Sequence, residues 1–200
     1  SVGQRFLQLL DGHPWFEVVS ISGSERSIGK SFGEVCQWVV SEPMPEYAKD
    51  MVVLPSTPKK IKTPVVFSAL PTNIAKAVEP DFANSGINVF SNASAYRQEP
   101  DVPILLPEIN AEHIGLVQFQ RKTRNWDGCI VTNSNCTSAG VSVALKALYD
   151  AFGLKNVFLV SLQALSGAGY PGVSSVDIID NVIPYIPGEE EKVALEPRKI

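Results

Sequence analysis

Residues 65–90, VVFSALPTNIAKAVEPDFANSGINVF, contain the pattern that decides the fold. Val65–Leu70 and Ile87–Phe90 are short apolar runs typical of buried strands, and Asn73–Ala83 between them has the apolar period of a helix. Strands that are buried on both faces and separated by helices indicate βαβ units in a mostly parallel sheet. Crossovers of this kind are right-handed. We therefore predict an α/β fold.

The same alternation extends in both directions along the chain. Further predicted strands are Phe16–Ile21, Met51–Leu54, Val102–Leu106, Cys129–Thr132 and Val157–Leu165, and further predicted helices are Val2–Leu10, Ser31–Val39, Ala111–Gln120 and Thr137–Phe152. The spacing of elements changes from about Asn133 onward. We therefore predict two domains, 1–134 and 135–200.

Composition excludes several classes of protein. With 200 residues, 44% hydrophobic and 19% charged, the chain can bury a core and is not disordered. A net charge of −4 without a cluster of Lys or Arg argues against nucleic-acid binding. The uncharged stretch Asn156–Val176 contains Gln163 and Pro171, which favours a buried strand and a turn over a membrane span. Three cysteines without CxxC spacing predict neither a disulfide framework nor a zinc site, and favour the reducing cytosol.

The beginning of the chain indicates a dinucleotide site. Gly3 opens the first predicted helix and could be the last glycine of a dinucleotide-binding fingerprint, although a chance glycine near a helix start is the alternative. The tip of the next predicted strand contains Ser24, Arg26 and Ser27 where an NAD-binding protein has a ribose-binding carboxylate. Hydroxyl and cationic groups suit a 2′-phosphate, which favours NADP, whereas the alternative is a solvated loop.

Cys136 lies between a predicted strand and a predicted helix, in the sequence NSNCTSAG at 133–140. A helix N-terminus stabilises a thiolate, and a thiolate is the nucleophile that acyl chemistry requires. The alternative is a buried structural cysteine, against which the polar neighbours argue. Cys36 and Cys129 lie in a predicted helix and an apolar predicted strand, so both fit a structural role.

Gln163 is a second polar residue in an apolar context. It precedes the glycine-rich turn Ser166–Gly172, which allows a ligand to approach the backbone closely. An amide satisfied by neighbouring loops is the alternative. His13 and His113 lie in a turn and beside a helix cap, and neither is a good candidate for a catalytic base.

Taken together, these motifs resemble the aspartate-semialdehyde dehydrogenases, and in particular the branch found in archaea and fungi. The resemblance implies a Rossmann-type NADP-binding domain that lacks its first strand and the front of its glycine loop, followed by the start of an α+β catalytic and dimerisation domain. One departure is Ser138, where the family usually has Thr. The matching segments are SVGQRF at 1–6, the loop 24–30, VVFSALP at 65–71, VFSNAS at 89–94 with Arg97, SNCT at 134–137, Gln163 with Ser166 and Gly167, and PYI at 184–186 with 188–192.

The same resemblance implies roles for individual residues. Cys136 would add to the aldehyde carbon of aspartate semialdehyde, NADP would take the hydride, and inorganic phosphate would release aspartyl phosphate. Arg97 and Lys192 would bind phosphate, and Asn135, Gln163 and Glu189 would position the substrate. The implied cofactor contacts are Ser1, Val2, Gly3, Ser24, Arg26, Ser27, Ser68, Ser166 and Gly167. No metal is implied, and the general-base histidine of the family would lie beyond Ile200.

The implied enzyme is cytoplasmic, belongs to the aspartate-derived route to lysine, threonine, methionine and isoleucine, and forms a homodimer or homotetramer when complete. We expect the chain to be part of a longer protein, cut at both ends. Two alternatives remain. The first is a paralogous acyl-CoA reductase such as a malonyl-CoA reductase, against which Arg97, Glu189 and Lys192 argue. The second is a non-enzymatic NADP-binding or dimer-forming module, against which the SNCT motif argues.

Overall fold

The chain divides between two units in the computed structural model, which describes residues 2–169 and 171–200. The first unit comprises the described residues up to Pro103 together with Ile114–Thr132. The second unit comprises Ile104–His113 together with the described residues from Asn133 onward.

The strands all belong to the first unit, whereas helices occur in both. The strands are β1 (Ile21–Gly23), β2 (Val53–Pro55), β3 (Val65–Ser68), β4 (Asn88–Ser91) and β5 (Cys129–Thr132). The helices are α1 (Val2–Leu9), α2 (Phe32–Val35), α3 (Glu46–Lys49), α4 (Thr72–Asn84), α5 (Pro107–Asn110), α6 (Leu116–Arg124), α7 (Cys136–Phe152), α8 (Ser175–Ile178) and α9 (Glu189–Lys199). Short 3₁₀ helices cover Ala111–Gly115 and Leu165–Ala168.

Parallel pairing organises the first unit. β4 lies between β3 and β5, with Val89 opposite Val66 on one side and opposite Ile130 on the other. β1 and β2 form a separate parallel pair. Parallel strands connected through helices confirm the predicted α/β class.

The hydrophobic core of the first unit lies where α4 packs against the three-stranded sheet. Phe82 and Ala83 of α4 are buried against Val89 and Ile130, both of which are almost fully enclosed. The free edge of β5 is completed by the buried side chain of Gln120, whose amide accepts from the Ile130 N–H at 2.7 Å and donates to the Ile130 carbonyl at 3.0 Å. A side-chain amide can thus replace a neighbouring strand, and no polar group of Ile130 is left unpaired.

Two glycines allow the close approach of α4, β4 and β5. Gly86, with φ of 84°, ends α4 in the left-handed conformation, and the following Ile87 N–H returns to the Phe82 carbonyl at 3.0 Å. Gly128 immediately precedes β5 and packs against the backbone of Ile87, the residue before β4. A Cβ at position 128 would lie 2.3 Å from the carbonyl oxygen of Ile87. Only a glycine fits at position 128 without displacing backbone.

Two strand predictions are wrong. Val102–Leu106 forms no strand and leads irregularly into α5, although Val102 and Ile104 are fully buried. Val157–Leu165 also forms no strand, and Leu165 begins a 3₁₀ helix instead. The described part of the second unit contains no strand with which Val157–Leu165 could pair. Val102–Leu106 does lie beside β5, since the Thr132 N–H donates to the Pro103 carbonyl at 2.9 Å, but only Ile104 is in a β-bridge.

Other predicted elements are shorter or shifted. The strand expected over Phe16–Ile21 is limited to β1, and the helix expected over Ser31–Val39 is limited to the four residues of α2. The helix expected over Ala111–Gln120 begins as a 3₁₀ turn and becomes α-helical at Leu116. These segments are short and interrupted, so that sequence periodicity determines their ends poorly.

Replacement of Gly128 by alanine should destabilise the first unit. The added Cβ would overlap the Ile87 carbonyl, so we expect a loss of about 3 kcal/mol in the free energy of unfolding, the upper part of the range for overpacked sites. Gly115→Ala is the matched control, because a Cβ there meets nothing within 4 Å. Urea denaturation should show that control within about 0.5 kcal/mol of the parent protein. Equal stability of the two variants would contradict the close approach at Gly128.

Candidate active site

Asn135 caps α7 and thereby determines the position of Cys136. Its side-chain Oδ1 accepts from the backbone N–H groups of Thr137 at 2.9 Å and Ser138 at 3.1 Å. Cys136 is the first residue of this 17-residue helix, and it is exposed. The thiol therefore lies at the positive end of a long helix dipole, where negative charge on sulfur is stabilised. The strand β5 ends at Thr132, four residues before Cys136, and a short loop connects it to the cap.

The other two cysteines have different surroundings. Cys129 is buried in β5, and burial raises the pKa of its thiol despite the nearby Arg121 charge. Cys36 is half-buried at the end of α2 and accepts a hydrogen bond from the Gln4 side chain at 3.2 Å. Cys136 thus combines exposure with a helix N-terminus, as predicted for a nucleophile.

A polar cluster surrounds the first turn of α7, and we call it the α7–α9 cluster. It consists of Asn135, Thr137, Gln163 and Glu189. The Glu189 carboxylate accepts from Asn135 Nδ2 at 3.0 Å, from Thr137 Oγ1 at 2.8 Å and from Gln163 Nε2 at 2.9 Å. Gln163 Nε2 also lies 3.0 Å from Thr137 Oγ1. Three residues predicted separately for substrate positioning therefore meet at one point of the second unit.

Glu189 is negatively charged in this cluster. Partial burial on its own would raise the pKa of the Glu189 carboxyl, but hydrogen bonds from Thr137, Gln163 and Asn135 and the charge of Lys192 lower the pKa overall. Lys192 follows three residues later on α9, so both side chains belong to one helix face. The Lys192 carbonyl also accepts a long hydrogen bond of 3.5 Å from Ser138 Oγ. A carboxylate and an ammonium group thus accompany the thiol in the second unit.

Arg97, the remaining residue predicted to bind phosphate, belongs to the first unit. It is buried after β4, and its Nη2 donates to the Asn92 carbonyl at 2.9 Å. The guanidinium is therefore held within its own loop. Its assignment to phosphate binding stays a prediction.

The residues predicted to bind the cofactor occur in both units. Val2 and Gly3 begin α1, Ser24, Arg26 and Ser27 form the turn after β1, and Ser68 ends β3. Ser166 and Gly167 lie in the 3₁₀ helix of the second unit, where a Cβ at Gly167 would be 3.7 Å from Gln163 Oε1. Ser1 lies outside the described residues.

The residues of the first unit fit a dinucleotide. A groove of about 740 Å³ is lined by residues that include Gly3, Ser22 and Ser68. Ser68 ends β3 at this groove, and its buried hydroxyl lies beside the Glu79 carboxylate. The first turn of α1 contains no acidic side chain, and its unpaired N–H groups can therefore face an anion.

Glu196 is a residue of this region that sequence reasoning missed. It is buried on α9, and its Oε2 accepts from the backbone N–H of Asn135 at 2.5 Å. Its spacing of seven residues from Glu189, two helical turns, is the signal that could have placed both on one face.

Neither a metal site nor a membrane span is seen in the part of the chain that the structure describes. Within residues 2–169 and 171–200, no three His, Cys, Asp or Glu side chains are grouped so that they could hold a metal ion. None of the described helices has the length and apolar character needed to cross a bilayer.

Residues 1–117 match the family described as semialdehyde dehydrogenase, NAD binding domain. The chain belongs to the semialdehyde dehydrogenase family. Residues 145–200 match the dimerisation domain of the same family. The family match confirms the Rossmann-type fold and the start of a second domain that the resemblance implied.

Individual semialdehyde dehydrogenases agree with this assignment. The chain is 54% identical over 199 residues to the aspartate-semialdehyde dehydrogenase of Archaeoglobus fulgidus and 46% identical over 203 residues to that of Schizosaccharomyces pombe. Both alignments cover 100% of this chain but only 58% and 57% of the relatives. A crystal structure of aspartate semialdehyde dehydrogenase with NADP from Candida albicans superposes with a TM-score of 0.85 at 39% identity, covering 99% of this chain and 56% of that one. The predicted resemblance is confirmed.

Alkylation should distinguish Cys136 from the other two thiols. With iodoacetamide near neutral pH, peptide mapping by mass spectrometry should find Cys136 modified first, because it is exposed at the N-terminus of α7. Cys129 should react only after denaturation, since burial both covers its sulfur and raises the pKa of its thiol. Native modification of Cys129 at the rate of Cys136 would contradict the difference in environment.

Proposed function

We propose that the complete protein is an NADP-dependent aspartate-semialdehyde dehydrogenase. It catalyses the reversible reductive dephosphorylation of L-4-aspartyl phosphate to L-aspartate 4-semialdehyde through a thioester on Cys136. The observation that carries the proposal is the exposed thiol of Cys136 at the capped N-terminus of α7, beside the α7–α9 cluster. The 54% identity to an archaeal protein of that name supports the choice of substrate.

The steps at Cys136 are most easily followed in the oxidative direction. The thiolate forms a carbon–sulfur bond to the aldehyde carbon, and the carbonyl oxygen takes up the electron pair and a proton. NADP, when bound, would supply the oxidising power as the acceptor of a hydride from that carbon. The oxygen would release its proton to solvent as the carbonyl re-forms, and the substrate would become an acyl group on the Cys136 sulfur. A phosphate oxygen then attacks the acyl carbon, and the carbon–sulfur bond breaks. The products are aspartyl phosphate and the regenerated Cys136 thiolate. The N-terminus of α7 favours the negative charge of this thiolate before the attack and after the release.

The charges of the second unit match those of the substrate. The substrate has an ammonium group and a carboxylate, and phosphate brings further negative charge. The ionised Glu189 carboxylate binds the ammonium group, while Asn135 and Gln163 orient both Glu189 and the substrate. Lys192 binds phosphate as a point charge. Arg97 supplies a second cation for phosphate from the first unit.

Cofactor binding is assigned to 1–134. The groove accommodates the dinucleotide, with Ser68 at the end of β3 and with Val2 and Gly3 at the pyrophosphate. Arg26, Ser24 and Ser27 provide a cation and hydroxyls for the 2′-phosphate of NADP. Ser166 and Gly167 are the further residues that we propose to contact the cofactor.

Assembly into a homodimer or homotetramer is supported by the second unit. Residues 145–200 match a dimerisation domain, and several large apolar side chains there are open to solvent. Phe158 is fully exposed, and Phe152 is 83% exposed at the end of α7. Apolar exposure of this kind is typical of a surface that is covered in the complete protein, by the rest of the domain or by a second subunit. Three free cysteines and a net charge of −4 fit a cytoplasmic enzyme of amino-acid biosynthesis that binds no nucleic acid.

Replacement of Cys136 tests the proposed function. In the complete protein, Cys136→Ala should abolish both the NADP-dependent oxidation of aspartate semialdehyde in phosphate and the reverse reduction of aspartyl phosphate, because the thiol forms the covalent intermediate. Cys36→Ala and Cys129→Ala are the matched controls and should retain turnover, with some loss of stability at the buried position 129. Absorbance of the reduced cofactor measures all three. Substantial turnover by Cys136→Ala would disprove the assignment.

A further inference from the structure

Glu196 contacts the peptide unit that immediately precedes the proposed nucleophile. It lies on α9 and is 1% exposed. Its carboxylate Oε2 accepts from the backbone N–H of Asn135 at 2.5 Å, across 61 positions of sequence. Because the Glu196 carboxylate is buried, water does not compete for this hydrogen bond.

The orientation of Asn135 determines where the thiol of Cys136 lies. Asn135 Oδ1 caps the first turn of α7, and its Nδ2 donates to Glu189. The backbone N–H is its third polar group, and Glu196 accepts from it. Rotation of Asn135 would therefore break the cap and move Cys136 at the same time.

The spacing along α9 makes Glu189 and Glu196 act on the same residue. They are seven positions apart, which places them on one helix face two turns from each other. Between them, the Lys192 carbonyl accepts from Ser138 Oγ. Four hydrogen bonds thus fasten one face of α9 to the N-cap and first turn of α7.

We propose that Glu196 is a positioning residue for Cys136, acting through the backbone N–H of Asn135. This inference rests on the proposed role of Cys136 as the nucleophile. Glu196 fixes the orientation of the Asn135 peptide, and thus the direction from which the thiol meets the substrate carbon. Glu189 differs, because it both contacts Asn135 and faces the substrate.

Three variants at Glu196 test whether its role is to accept the hydrogen bond from Asn135 or only to provide volume or negative charge. Glu196→Gln keeps an acceptor oxygen at the same reach and removes the charge. Glu196→Asp keeps the charge but withdraws the carboxylate by one methylene, and Glu196→Ala removes the acceptor. Glu190→Ala is the matched control, since Glu190 is exposed on the same helix.

Steady-state kinetics of the complete enzyme, together with the rate of Cys136 alkylation as a function of pH, provide the test. Glu196→Asp and Glu196→Ala should each lower kcat by about tenfold or more, because small misplacement of a nucleophile is costly, while the KM values change much less. The two variants should also alter the pH profile of Cys136 alkylation. Glu196→Gln should recover most of kcat, and Glu190→Ala should match the parent.

The outcomes distinguish this inference from the proposed function. Parental kcat and alkylation profiles in both Glu196→Asp and Glu196→Ala would overturn the role of Glu196, even if Cys136→Ala is inactive. An active Cys136→Ala would instead overturn the proposed function. If Glu196→Ala fails to fold, the contrast between Glu196→Gln and Glu196→Asp decides, and equal kcat in those two variants overturns the inference.

Discussion

The two hydrogen bonds that the Asn135 side chain accepts from Thr137 and Ser138 are the interactions on which the candidate site depends. They end the loop after β5 and start α7 at Cys136, so the thiol is fixed by the first turn of a long helix and not by a mobile loop. A cap of this type stabilises a helix by about 1 kcal/mol, which is modest for the whole molecule. Its larger consequence is geometric, because it places sulfur where the helix favours negative charge.

The cap in turn depends on α9. Asn135 uses Oδ1 for α7, and its two donor groups, Nδ2 and the backbone N–H, bind carboxylates of α9, Glu189 and Glu196. Glu189 is negatively charged, and the first turn of α7 together with Lys192 supplies positive charge in the same region. The chain thus combines a nucleophile with both signs of charge, as a zwitterionic substrate and an oxyanion require.

The sequence predicted the parts of this arrangement that are local. The α7 boundaries, the polar surroundings of Cys136 and the shared helix face of Glu189 and Lys192 follow from spacing alone. Glu196 was not predicted, because its contact with Asn135 joins residues far apart in sequence. The strand expected over Val157–Leu165 was wrong for a related reason, since strand formation depends on a partner that periodicity does not reveal. Two other residues show the same limit. Gln120 matters because it pairs with Ile130 of β5, and Gly128 matters because it lies against the Ile87 carbonyl, and both contacts form only in the folded chain.

Direct detection of the acyl group tests the central claim, that the thiol of Cys136 carries the substrate. The complete protein would be mixed with aspartate semialdehyde and NADP in the absence of phosphate, quenched in acid, digested and examined by mass spectrometry. The account predicts a hydroxylamine-sensitive aspartyl adduct on the peptide that contains Cys136, which disappears when phosphate is added before the quench. An adduct on a different residue, or one reduced cofactor formed per active site with no adduct on Cys136, would contradict it.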